Sequence, residues 1–394
     1  MFTKTPDTLL EQLSQKVNID VDCLDADFVA SLPITPHDMT SNPRFIQEQL
    51  GSPANRPMVV EVVKSMPGRV WDEIYPVIVA KLAARVFPHI SGRVLAQTLP
   101  THSYDTEYMV KQARAFVKAF KDEGIPTERT CIKVPTTGPA VAAAVILKKE
   151  GIATLGTSLF SLHQAIAASQ AGMHAISIYF NEPLAAVEAT RWPDVEDPAS
   201  QHPMAARHLR IRQAYDRLAK ETGRKQPQLK TASYVPLWLS SRPPNSWHNR
   251  FISARETLSM VELGADNITL NKLVLADLNA GPGVAKYHTG QWKVPVSELV
   301  RQPHFVWEDW IVPEASVSVE RMAKVAKTDP LSKFSDEDWF TASTEVNYLA
   351  PGVLDRFNGE DEVTRVRLDT VLARFSTHET ESKKYIEDIQ AELA

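Results

Sequence analysis

The stretch Cys131–Gly138 reads CIKVPTTG. Cys-Ile-Lys-Val-Pro has the composition of a buried strand, yet a lysine stands in its middle, and lysine is among the residues least often fully buried. Strand side chains alternate between two faces, so Ile132 and Val134 share one face and Lys133 takes the other. Working outward, TCIKVP (130–135) reads as a strand. A helix follows over 139–151, with proline at its start and glycine after its basic end. IATLGTSLF (152–160) is strand-like, LHQAIAASQAG (162–172) is helical and closes on glycine, and HAISIYF (174–180) is a further strand. Strands separated by helices of this length pair in parallel through right-handed crossovers.

Five more strands are expected around this core: NIDVDCLD (18–25), HDMT (37–40), SGRVLAQTLP (91–100), LKTASYV (229–235) and ADNITL (265–270). Helices are expected over Tyr104–Glu123 and over 252–264. Eight β/α units point to an α/β fold, a (β/α)8 TIM barrel of about 250 residues with insertions. A doubly wound open sheet competes, but no GxGxxG follows the first strand. The expected organisation is a barrel over 1–300 with insertions at about 183–230 and 236–250. A helical C-terminal extension over 301–394 packs on it.

The bulk numbers narrow the function classes. The 394 residues carry a formal charge of -5, which gives no general pull toward nucleic acid or an anionic membrane. Two cysteines are too few for a disulfide framework or a cysteine zinc site. The longest apolar run, Ala140–Leu147, is too short to span a bilayer, and the first residues lack the apolar core of a signal peptide. A soluble, cytoplasmic protein is the expectation, with no nucleic-acid or membrane partner and with room for a homo-oligomer. There is no HExxH, P-loop or GxSxG, and the 11 histidines show no metal spacing, so neither cofactor nor metal is expected.

In a barrel, Lys133 faces the lumen. An unpaired ammonium is costly there, so its pKa falls and its neutral, nucleophilic fraction grows. Such a lysine attacks carbonyls to form a Schiff base, whose iminium is an electron sink for making or breaking a neighbouring C–C bond. A lysine snorkelling to solvent from a strand end is the bland alternative.

Further motifs extend the pattern: DMTSNPRFI (38–46), SYDTE (103–107), IKVPTTGPAVAAAVILKKEGIATLGTSLFSLHQAIAASQAG from Ile132 to Gly172, EDP (196–198) and TASY (231–234). Together with the final helix, they resemble the transaldolase family, which includes the small fructose-6-phosphate aldolases. The resemblance implies a TIM barrel whose Schiff-base lysine falls on Lys133. It places the family's first-strand acid/base aspartate on Asp25, with Asp22 as the fallback. An aspartate that merely caps the next helix remains an alternative at Asp25. By the same resemblance, Asn42 and the neighbouring Thr40 contact substrate hydroxyls, Thr157 holds a catalytic water, and Ser177 and Ser233 line the donor end. Gln97, Tyr179 and Leu155 stand where transaldolases place glutamate, phenylalanine and asparagine, and agree instead with the fructose-6-phosphate aldolase branch. Gln97 and Tyr179 then join the catalytic set.

Two departures matter. Glu182 and Val235 replace the family's two phosphate-binding arginines, which should remove most phosphate affinity. Glu182 could contact a hydroxylated or cationic substrate. Arg242, His248 and Arg250 in the loop SSRPPNSWHNR could rebuild an anion site from another side. The expected function is a class I aldolase acting on a ketose or hydroxyketone with an aldehyde partner, with or without phosphate. The alternatives are an ordinary transaldolase and a non-catalytic barrel that binds a small molecule.

Overall fold

The structure is a computed structural model that describes residues 8–193, 195, 197–232, 256–280, 315–331 and 343–394. Eight parallel strands close into a barrel in the order β1 to β8. They are β1 Asn18–Asp22, β2 Met39–Thr40, β3 Val94–Gln97, β4 Thr130–Pro135, β5 Thr154–Leu159, β6 Ala175–Tyr179, β7 Gln228–Ala232 and β8 Asn267–Asn271. Closure is carried by β1 against β8, from Asn18 opposite Asn267 to Asp22 opposite Asn271. The TIM-barrel expectation is met, and every predicted strand contributes a barrel strand.

Strand alternation sorts the side chains into two cores. Ile132, Val134, Ile176, Ile178, Leu229 and Ile268 are buried in the main cluster between strands and helices. Leu95, Cys131, Leu155 and Ala175 form a separate small apolar cluster. They alternate with those outward residues along β3, β4, β5 and β6, which places them in the lumen. Lys133 is two residues beyond Cys131, and so lies one layer nearer the C-terminal ends of the strands.

β5 departs from regular alternation. Its register with β6 shifts between Gly156 and Leu159, and Ser158 has φ 54°. A non-glycine residue in the left-handed region beside a bulge is unusual, and bulges of this kind re-aim side chains next to active sites. Here it falls on the residue after Thr157.

The stretch 183–230 is not simply an insertion. It contains the helix Ala205–Thr222, the crossover between β6 and β7, and the Tyr215 hydroxyl of that helix donates to Ala165 O at 2.8 Å in the helix Leu162–Ala171. The helix is rich in charge, yet Arg207 and Arg210 are buried. Arg207 donates to Asp329 at 2.9 Å and to both oxygens of Asp361 at 2.7 and 3.1 Å, while Arg210 holds Ala326 O at 2.9 Å. These two guanidinium groups tie the later helices to the barrel.

The C-terminal helical extension is present as Val353–Glu360 and Glu362–Leu393. The long helix buries Leu368, Val371, Leu372, Phe375, Glu379, Ile386 and Ile389, spaced three or four apart along much of its length, which makes one continuous stripe. Leu368, Val371, Leu372 and Phe375 pack on Phe160 and Tyr179 at the C-terminal ends of β5 and β6. Further along, the Glu379 carboxylate accepts from the Thr101 amide at 3.0 Å.

Asp355 docks the shorter helix. Its Oδ1 accepts the Gly138 amide at 2.7 Å, at the start of the helix Gly138–Lys149, where a carboxylate meets the positive end of the dipole. A Cβ on Gly138 would lie 2.6 Å from Asp355 Oδ2. Gly138→Ala is therefore expected to push Asp355 off this amide and cost about 1–2 kcal/mol, the worth of a hydrogen bond to a charged group less local relaxation. Calorimetric unfolding of the full chain should show a Tm a few degrees lower. An unchanged Tm would mean that this contact does not hold the extension.

Candidate functional site

A cavity in the barrel is lined by Asp20, Asp22, Thr40, Asn42, Arg44, Leu95, Lys133, Ser177, Tyr179 and Lys230, with Phe45 and Phe375 among its apolar members. Lys133 is 5% exposed. Its Nζ donates to Thr40 Oγ1 at 2.8 Å and to Ser41 O at 3.0 Å, which aims the side chain at β2. Burial pushes its pKa below the ordinary value, and the Asp22 charge opposes that only in part. The same desolvation raises the Asp22 carboxyl from 3.8 to about 6, against the pull of Lys133 and Arg44. Asp22 Oδ1 is sealed from solvent without a hydrogen-bond partner among the described residues. Two groups whose charged forms are both disfavoured thus face one cavity, an arrangement that suits nucleophile and proton-transfer chemistry near neutral pH.

The first choice of acid/base aspartate is not supported by position. Asp25 does not line the cavity. It is the N-cap of the helix Ala26–Ala30, accepting from the Phe28 amide at 3.0 Å, and its other oxygen pairs with Lys272 at 2.6 Å. The Lys272 hydrogen bond, then that of Phe28, holds its carboxyl below the usual range. The capping alternative describes Asp25, whereas Asp22, the fallback, lines the cavity together with Asp20, whose carboxylate is held by Lys230.

Asn42, expected to contact substrate hydroxyls, is also a helix cap. It lines the cavity, and its Oδ1 caps the helix Pro43–Leu50 by accepting from the Arg44 and Phe45 amides at 3.1 and 3.3 Å. The amide nitrogen remains to donate. Thr157 Oγ1 and Tyr179 OH are 3.0 Å apart, so these two hydroxyls form a pair beside the cavity. Gln97 lies directly opposite Lys133 in the strand register, buried, with neither amide atom partnered among the described residues. Ser177 lines the wall near Tyr179. Glu182 does not line the cavity. Arg191 folds back to pair with it at 2.6 Å, which occupies the carboxylate expected to meet substrate. Ser233, Val235, Arg242, His248 and Arg250 lie outside the described residues, as does the loop 236–250.

The sequence reading missed a second lysine in the lumen. Lys230 Nζ sits 2.8 Å from Asp20 Oδ2 and 2.8 Å from Asp38 Oδ2, and all three residues are 1% exposed. Burial disfavours the charge of Lys230, but Asp20 and Asp38 outweigh it, so its pKa lies above the ordinary value. Asn267 Nδ2 donates to Asp20 at 2.7 Å, and His37 Nδ1 lies 2.8 Å from Asp38. Hydrogen bonds to Asp20 and Asp38 raise His37 to about 9. Among the described residues, Asp20, His37 and Asp38 also present ligand atoms within 4.8 Å of one another. The Lys230 ammonium already bridges both carboxylates. The signal for this network was available: LKTASYV, like CIKVP, puts a lysine inside a strand.

An eight-stranded parallel barrel with a buried, pKa-lowered lysine in its lumen defines the class of site. A family model described as transaldolase/fructose-6-phosphate aldolase matches residues 19–240. The chain belongs to that family. It is 34% identical over 179 residues to a transaldolase of Acidobacterium capsulatum, covering 43% of this chain and 53% of that protein. It is 31% identical over 175 residues to a transaldolase of Methylobacillus flagellatus, covering 43% and 55%. The chain spans about half the length of the curated relatives it matches. Among the described residues, no helix is long and apolar enough to cross a membrane.

Proposed function

We propose that this protein is a class I aldolase or transaldolase, which makes and breaks a C–C bond in a ketose or hydroxyketone through a Schiff base on Lys133. The observation that carries this reading is the buried, pKa-lowered amine of Lys133 in one cavity with the pKa-raised carboxyl of Asp22. Neutral Lys133 attacks the ketone carbonyl, and loss of water from the carbinolamine gives a protonated imine. Asp22 takes the proton of the hydroxyl on the carbon being released. The C–C bond then breaks, its electron pair moves into the iminium to form an enamine, and an aldehyde departs. In the transferase direction the enamine attacks a second aldehyde. In the aldolase direction it is protonated and water hydrolyses the imine, releasing the ketone and free Lys133.

The hydroxyl pair Thr157–Tyr179 favours the second outcome, because two hydroxyls 3.0 Å apart can position a water at the imine carbon. Gln97 offers a further donor and acceptor from the strand next to Lys133. Thr40, Asn42 and Ser177 are suited to bind substrate hydroxyls. A cytoplasmic location and small-molecule sugar or hydroxyketone and aldehyde partners fit this chemistry, and the fold leaves room for a homo-oligomer. The test is intact-mass spectrometry after borohydride treatment with dihydroxyacetone, hydroxyacetone, fructose and fructose 6-phosphate. A reduced adduct that forms with at least one donor and maps to Lys133 is expected. No adduct with any donor would favour a non-catalytic barrel.

A further inference from the structure

The cavity wall carries a third cation that the proposed chemistry leaves unused. Arg44 stands in the first turn of the helix Pro43–Leu50 and lines the cavity beside Asn42 and Phe45. Its Nε donates to Glu48 Oε1 at 2.9 Å, and its guanidinium lies 5.5 Å from the Phe45 ring centroid. These contacts fix the direction of the fork while its two terminal nitrogens keep their hydrogens uncommitted among the described residues. The side chain is 24% exposed, so the fork is partly withdrawn from solvent yet open to the cavity. The cavity lining places it beside the proposed chemistry. Arg44 is second only to Lys133 in drawing down the Asp22 carboxyl, and Lys133, Asp22 and Arg44 all line the same cavity.

The other cations are spoken for. Lys230 is held between Asp20 and Asp38, and Lys133 has its charge suppressed by burial. Glu48 offsets part of the Arg44 charge but takes only one of its five hydrogens. A planar guanidinium with two free terminal nitrogens is suited to grip phosphate or carboxylate oxygens in bidentate fashion.

We propose that Arg44 is the specificity-determining residue of this cavity and grips an anionic group, phosphate or carboxylate, on the molecule whose carbonyl reaches Lys133. The proposal rests on the Schiff-base reading for its substrate. The alternative is a positioning role, in which Arg44 only tunes Asp22.

The experiment compares the full-length wild type, Arg44→Met and Arg44→Lys. Rates and borohydride trapping are measured with neutral donors (dihydroxyacetone, fructose), a phosphate (fructose 6-phosphate) and a carboxylate (pyruvate). The expected result is that the kcat/KM ratio of anionic to neutral donor falls about 10- to 100-fold in Arg44→Met, mainly through KM, with partial recovery in Arg44→Lys. Whether phosphate or carboxylate suffers identifies the anion. An equal loss for all donors together with a shifted pH profile would overturn recognition in favour of positioning. An unchanged ratio would overturn the proposal outright. A binding arm separates this from failure of the chemistry. Calorimetric titration of Lys133→Met with fructose 6-phosphate and with pyruvate should give binding that weakens by a similar factor when Arg44→Met is added. If neither anion binds Lys133→Met, or binding is indifferent to Arg44, the proposal fails whether or not the wild type forms an adduct.

Discussion

Lys133→Met should abolish the borohydride adduct and lower turnover by roughly 10⁴-fold or more, because no other described residue lining the cavity offers an amine without a carboxylate partner for covalent catalysis. Methionine preserves the volume of the stem, so the barrel should still fold, with near-wild-type circular dichroism as the check. The informative control is the other lumen lysine. Lys230→Met should leave an adduct on Lys133 in the folded fraction. It should also cost about 3–5 kcal/mol of stability, since Asp20 and Asp38 would remain buried without the cation that lies 2.8 Å from each. Denaturant titration measures that loss. Adding Asp20→Asn to Lys230→Met should recover part of it, because one uncompensated charge is then removed. An adduct that persists in Lys133→Met and disappears in Lys230→Met would reverse the assignment of nucleophile and counter-ion.

The two lysines also show what the sequence could and could not disclose. Strand alternation places both in the lumen, and the fold follows from the same alternation, because Ile132, Val134, Ile176 and Ile178 must meet helices on the other face. Alternation does not say which lysine is paired. That depends on Asp20 and Asp38, which sit 210 and 192 positions earlier in the chain than Lys230 and meet it only when β1, β2 and β7 share one lumen. The different positions of Asp25 and Asp22 have a related reason. They are close neighbours in sequence, but Asp22 is the last residue of the first strand, whereas Asp25 has already become the cap of the next helix. The partners of Arg207 and Arg210 are distant in sequence too: Asp329, Asp361 and the carbonyl of Ala326 cover these guanidinium groups. Local pattern disclosed the barrel and the lysine inside it; the charge partners are long-range facts.

Asp22→Asn should separate the catalytic worth of this carboxyl from its cost to the fold. Its folded pKa, about 6, lies above the ordinary 3.8 because burial disfavours the carboxylate. A carboxyl with a raised folded pKa favours folding fully below pH 3.8, and that contribution is lost as pH rises through about 6. The shift corresponds to about 3 kcal/mol, reduced to about 2 kcal/mol because solvent reaches part of the side chain. Asn carries no charge at any pH, so the variant should be about 2 kcal/mol more stable than the wild type at pH 7.5. Its advantage should fade between pH 6 and pH 4, and urea titrations at three pH values would trace it. Activity should move the opposite way, with kcat/KM down about 10²- to 10⁴-fold, as expected for loss of a general acid/base. The limb of the wild-type pH–rate profile near pH 6 should vanish with it. Asp25→Asn is the contrast: it loses the Lys272 pair and weakens a cap, at about 1 kcal/mol, and should leave the pH profile in place. If Asp25→Asn removed the limb and Asp22→Asn did not, the proton would be moving through Asp25, and the cavity would have to rearrange on substrate binding to bring that carboxylate in.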